Sequence, residues 1–165
     1  MTRTLRLILG TIAVAALITG AAALSAWPSY SPVPQGSAML KLSLSHGGVR
    51  NCRQLTEAEL AKLPPNMRRK EICDRKRAPL TVELVIDGAR VYHRDLPPSG
   101  LSGDGPSRVY EKFVLPAGPH SIAVRLRDTL RAEGFDYQAV RDVELAPGQN
   151  FVIDFSPVTG EFVFN

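Results

Sequence analysis

Two cysteines, three histidines and one dense basic run are where this 165-residue chain concentrates reactive side chains. Cys52 and Cys73 flank a polar segment, and an even cysteine count in an exported chain usually means pairing. A bond across this spacing constrains the unfolded chain by about 3 kcal/mol in the loop-entropy model. The residues therefore predict a Cys52–Cys73 disulfide. No Cys-x-x-Cys supports thiol exchange, and no Cys-x-x-Cys-His supports covalent haem. The competing chemistry is a soft-metal site built from Cys52, Cys73 and Met67 or His46, because copper favours such ligands. No cofactor and no metal ligand is assigned.

His46, His93 and His120 fall on separate strands or turns. Neither Gly-x-Ser-x-Gly nor His-Glu-x-x-His occurs, and no motif places a carboxylate pair. The expectation is a protein that is not an enzyme, with each histidine at a surface or strand end. Arg68-Arg69-Lys70 centres a basic segment: Lys41 to Pro79 holds ten Lys/Arg against four Asp/Glu. From Leu80 to Asn165 the balance reverses, eight against twelve, so the net charge of +4 hides two opposite halves. Such a segment suits anionic headgroups or an acidic partner, or merely solvates a loop. Nucleic acid is not expected, because the leader places the body outside the cytoplasm. Phe135 and Tyr137 stand in a polar excursion; they either close a core edge or offer a contact surface for protein or glycan.

These residues need elements to hold them. Arg3 and Arg6 precede an uncharged run from Leu7 to Trp27, long enough to cross a bilayer, for which about 20 apolar residues suffice. The charge bias predicts a cytoplasmic N-terminus. The run reads as a signal anchor with Trp27 and Tyr30 at the outer interface. The alternative is a leader cut after Ala21-Ala22-Ala23 or Ala23-Leu24-Ser25. Residues 28–37 carry three prolines and read as an extended spacer.

The body, 38–165, alternates apolar and polar residues between Pro/Gly turns, which predicts antiparallel strands with one buried face. Ala38–His46, Leu80–Asp87, Arg90–Leu96, Lys112–Leu115, His120–Arg127, Arg141–Leu145, Phe151–Phe155 and Phe162–Phe164 are the candidates. Asp87-Gly88 is a hairpin turn signal. Val140 and Val143 sit on opposite parities, for which a β-bulge is expected. The insertion 50–79 does not look like sheet. Its ordered piece is a short helix with a Thr56/Glu59 capping box, stopped by Pro64-Pro65. Pro97 to Ser107 is a long loop, either a binding loop or a connector. The fold class expected is an all-β antiparallel sandwich of about 7–8 strands with a disulfide-closed, helix-bearing insertion.

The strand ending at Asp87-Gly88, then Leu115-Pro116-Ala117-Gly118-Pro119-His120-Ser121-Ile122-Ala123-Val124, then Val143-Glu144-Leu145-Ala146-Pro147-Gly148-Gln149-Asn150-Phe151-Val152-Ile153-Asp154-Phe155, resembles PEGA-type and carboxypeptidase-regulatory-like domains. Those are small transthyretin-like β-sandwiches common on exported and envelope proteins. The likeness covers about Leu80 to Phe155. It implies a non-catalytic module for structure or contact and transfers no functional residue. The loop from Pro97 to Ser107 is longer than that pattern, and the cysteine-flanked insertion has no counterpart in it. The combined expectation is an inner-membrane, single-pass protein with its body in the periplasm, supporting an envelope or membrane complex through a protein partner. The alternatives are a glycan or peptidoglycan binder and a copper-handling protein.

Overall fold

The computed structural model describes residues 2–26 and 33–165. They fall into two compact units, Met1–Pro34 and Gln35–Asn165. In the first, helix α1 spans Arg3–Ala26 and buries none of its side chains. Twenty-four residues at 1.5 Å each give about 36 Å, more than the roughly 30 Å of a hydrocarbon core. By length and composition α1 is able to cross a membrane. Leu7 lies on it, exposed like its neighbours. Trp27, Tyr30 and residues 28–32 of the spacer lie outside the described residues.

The second unit is a β-sandwich. One sheet holds β1 (Ser37–His46), β6 (Ser107–Pro116), β9 (Asn150–Ser156) and β10 (Glu161–Phe164), in the order β10-β9-β1-β6. The other holds β4 (Leu80–Ile86), β5 (Ala89–Leu96), β7 (Gly118–Arg127) and β8 (Tyr137–Leu145), in the order β5-β4-β7-β8. Alternation gives each sheet one greasy face. Leu40, Leu42, Phe151 and Ile153 from the first meet Leu80, Val82, Leu84, Ile122 and Val124 from the second in one core. Each buried side chain of this size contributes about 1.5–3 kcal/mol relative to exposure, so this layer dominates the body's stability.

The Asp87-Gly88 turn joins β4 to β5 as the sequence predicts, with Asp87 at φ 51° and Gly88 at φ 79°. Positive φ at both positions is what the tight hairpin turn demands. Three details depart from the expectation. β1 and β9 pair in parallel, Leu40 beside Phe151, within an otherwise antiparallel framework. Periodicity says nothing of strand direction, so this pairing had no local signal. The bulge expected in Gln138–Leu145 is absent: β8 pairs with β7 in unbroken register. Val143 faces the core with Tyr137 and Ala139, while Val140 lies on the sheet's outer, solvent-facing side, 72% exposed, so the two parities need no bulge. The register shift falls instead between Leu84 and Val85, opposite Val91.

The insertion is also more ordered than expected. β2 (Arg50–Gln54) and β3 (Glu71–Arg77) form a two-stranded antiparallel arm. Its strands bury neither face apart from the half-buried Arg77, so they carry no hydrophobic period to read. Between them come α2 (Glu57–Ala61) and a 3-10 turn, Pro65–Met67.

Candidate functional site

Cys52 and Cys73 are cross-strand neighbours on β2 and β3 and are disulfide-bonded. Both sulfurs are consumed in that bond, so the soft-metal alternative has no thiolates to use. The arm needs this link. Leu55, Leu60 and Leu63 are its half-buried apolar residues, and a five-residue helix has negligible stability alone. The capping box is formed as the sequence predicts: Thr56 Oγ1 accepts from Glu59 N, and Glu59 accepts from Thr56 N at 2.9 Å. Arg53 donates to both carboxylate oxygens of Glu59, at 3.0 and 3.2 Å. The Arg53 bond, then those from Thr56, hold the Glu59 carboxyl down to about 2.

Arg68 donates Nε–H to Leu63 O at 3.1 Å and so closes the arm's tip. Arg69 and Lys70 point to solvent and, among the described residues, form no ion pair. At the arm's base Arg77 is a clamp. Its guanidinium donates to Gly48 O at 3.1 Å and Asp104 O at 2.9 Å, while its backbone N–H donates to Gly103 O at 2.9 Å. The Pro97–Ser107 loop is thereby fastened to the arm. Gly48 fits there because a Cβ would lie 2.2 Å from Ala78 O.

Phe135 and Tyr137 do not share a platform. Tyr137 opens β8 on the inner face, its ring 4.9 Å from Phe155 and edge-on to His46 at 6.3 Å. Burial, then the Asp128 and Asp136 carboxylates, raise its pKa. Phe135 is half-buried on the outer face of the same sheet, under the Arg125 guanidinium at 5.8 Å. Arg125 in turn donates to the buried Glu83 at 2.7 Å. Arg127 holds the surrounding loop through Ala132 O at 3.0 Å and Gly134 O at 3.3 Å.

Sequence reasoning missed a histidine–carboxylate pair at the same end of the body. His46 Nε2 lies 2.8 Å from Asp128 Oδ2, and the two side chains are only 13% and 8% exposed. Asp128 O also accepts from Val49 N, and Asp128 N–H donates to Asp136 at 3.0 Å. Burial opposes charge on Asp136, but the N–H of Asp128, the Thr129 hydroxyl and Arg131 keep its carboxyl below the ordinary range. His46 ends β1 and Asp128 directly follows β7, strands of different sheets, so the pair forms only when the two sheets stack and no local signal marks it. At the opposite end His120 is held between Asp87 Oδ2 at 2.6 Å and Pro116 O at 2.9 Å. The hydrogen bond to Asp87, then that to Pro116, raise the His120 pKa, and the same contact lowers that of Asp87. His93 lies 3.4 Å from Glu83. The arrangement ties loops together; its chemistry is hydrogen bonding and charge pairing.

No family model matches the chain, and no curated protein matches it either.

Proposed function

We propose that this protein is a membrane-tethered, non-catalytic contact module whose body works in the periplasm and supports a membrane or envelope complex. The observation that carries the reading is the pairing of α1, long and apolar enough to cross a bilayer, with an exposed disulfide on the body. Structural disulfides persist outside the reducing cytoplasm, and arginines ahead of the apolar run favour export of the residues beyond it. Further support comes from the histidines. His46 and His120 each spend a ring nitrogen on a carboxylate that fastens two segments, which is a structural use of the side chain. The likeness to PEGA-type modules agrees with a contact role but remains an analogy of pattern.

The test is the size of the full-length protein after gentle extraction from its native membrane. On this reading it migrates well above its own 18.0 kDa plus detergent, with one stoichiometric companion. A monodisperse monomer under conditions that preserve neighbouring complexes sinks it.

A further inference from the structure

The chain enters the body at one end of the sandwich and displays its cationic arm at the other. Ser37 pairs with Pro116 and accepts from Gly148 N at 2.7 Å, whereas His46 pairs with Ser107. The ten residues of β1 therefore separate the attachment point from the far end by about 30 Å. Three segments are fastened together at that far end. They are the arm, the Pro97–Ser107 loop clamped by Arg77, and the loop after Asp128, which is tied to Val49 at 2.9 Å.

Each segment holds an apolar side chain out in solvent: Met67 at 61% and Ile72 at 51% on the arm, with Leu101 and Leu130 on the two loops. A lone exposed Leu needs no explanation. Four such side chains stand on segments tied together at their bases, and an apolar centre with a polar, charged rim, enriched in Met and Arg, is what protein interfaces present. The arm, Arg50 to Arg77, holds nine Lys/Arg against four Asp/Glu, while the two loops add Asp104, Asp128, Glu133 and Asp136 against Arg131, so the positive charge is concentrated on the arm.

We propose that this far end docks an acidic protein surface, with Met67 and Leu101 as apolar anchors and Arg68, Arg69 and Lys70 supplying charge complementarity. The proposal rests on the contact-module reading and adds the surface and the partner's chemistry. Anionic phospholipid is the other polyanion to be distinguished. Apolar side chains held out beside the arm's charges favour a protein surface, where an apolar centre meets a polar rim.

The experiment uses the full-length chain in its native membranes, with a benzophenone side chain placed in turn at Met67, Leu101 and, as the opposite-end control, Pro147. Met67 and Leu101 are expected to link to the same protein, through peptides rich in Asp and Glu, while Pro147 does not. The triple variant R68E/R69E/K70E, checked for an intact disulfide and an unchanged melting temperature, is expected to lower the yield about tenfold. Adducts with phospholipid alone, or protein adducts indifferent to the charge reversal, overturn the acidic-protein assignment. A protein adduct from Pro147 alone also overturns it, yet leaves the contact module standing with its surface elsewhere. No adduct from any position, together with monomeric extraction, removes both readings at once.

Discussion

Both ring nitrogens of His120 face acceptors, Asp87 Oδ2 at 2.6 Å and Pro116 O at 2.9 Å, and only the imidazolium donates to both. Its pKa is raised in the folded state. A raised histidine stabilises fully below its unfolded value of about 6.5, and the contribution disappears as pH rises through the folded value. Asp87 has the opposite sense: its lowered pKa stabilises above the ordinary carboxylate range and is lost in acid. Between pH values of about 6 and 9, the urea midpoint of the parent protein is therefore expected to decline more than that of H120Q. Equal pH slopes for the two proteins contradict this assignment. Gly48 offers a second residue-level check, since a Cβ there meets backbone, Ala78 O at 2.2 Å, which no rotamer relieves. Gly48→Ala is expected to cost about 1–3 kcal/mol in thermal or denaturant unfolding, whereas Gly88→Ala meets no atom within 4 Å and strains only its φ.

Among the elements, the arm stands apart from the sandwich. It contributes nothing to the main core, whose members all lie outside β2, α2 and β3. Its stability therefore comes from the disulfide, the Arg77 clamp and the capping box. Replacing both cysteines, C52S/C73S, removes about 3 kcal/mol of loop constraint. The expected result is an arm that trypsin cuts rapidly at Arg68, Arg69 or Lys70 while the sandwich keeps its melting transition. Loss of both together means that arm and body unfold as one unit. The same contrast explains what the sequence could tell. Strands with one buried face, such as β4 and β7, were legible because alternation and turn residues coincide. β2 and β3 were not, since exposed strands obey no hydrophobic period, and the parallel β1–β9 pairing is a long-range choice with no local code. Of the candidate contact residues, the basic run is exposed as its composition suggests, while Tyr137 went to the core side and Phe135 beneath Arg125. The His46–Asp128 pair arises from the meeting of two distant strand ends and could not be read from spacing.

At the scale of the whole molecule, the described body has two unlike ends. The chain enters beside the Pro116 and Gly148 turns, and the arm with its fastened loops occupies the far end. That division of labour is the reason to propose a tether at one end and a contact surface at the other. Everything in the proposal requires α1 to stay attached and the arm to lie outside the cytoplasm. The most direct measurement adds trypsin to the outside of intact spheroplasts and tracks the full-length chain by mass. The account expects cleavage at Arg68, Arg69 or Lys70 without lysis, after prior reduction of the Cys52–Cys73 bond, with the fragment bearing α1 recovered in the membrane pellet. Protection of the arm until the cells are lysed, or release of the uncut body into the soluble fraction, contradicts it.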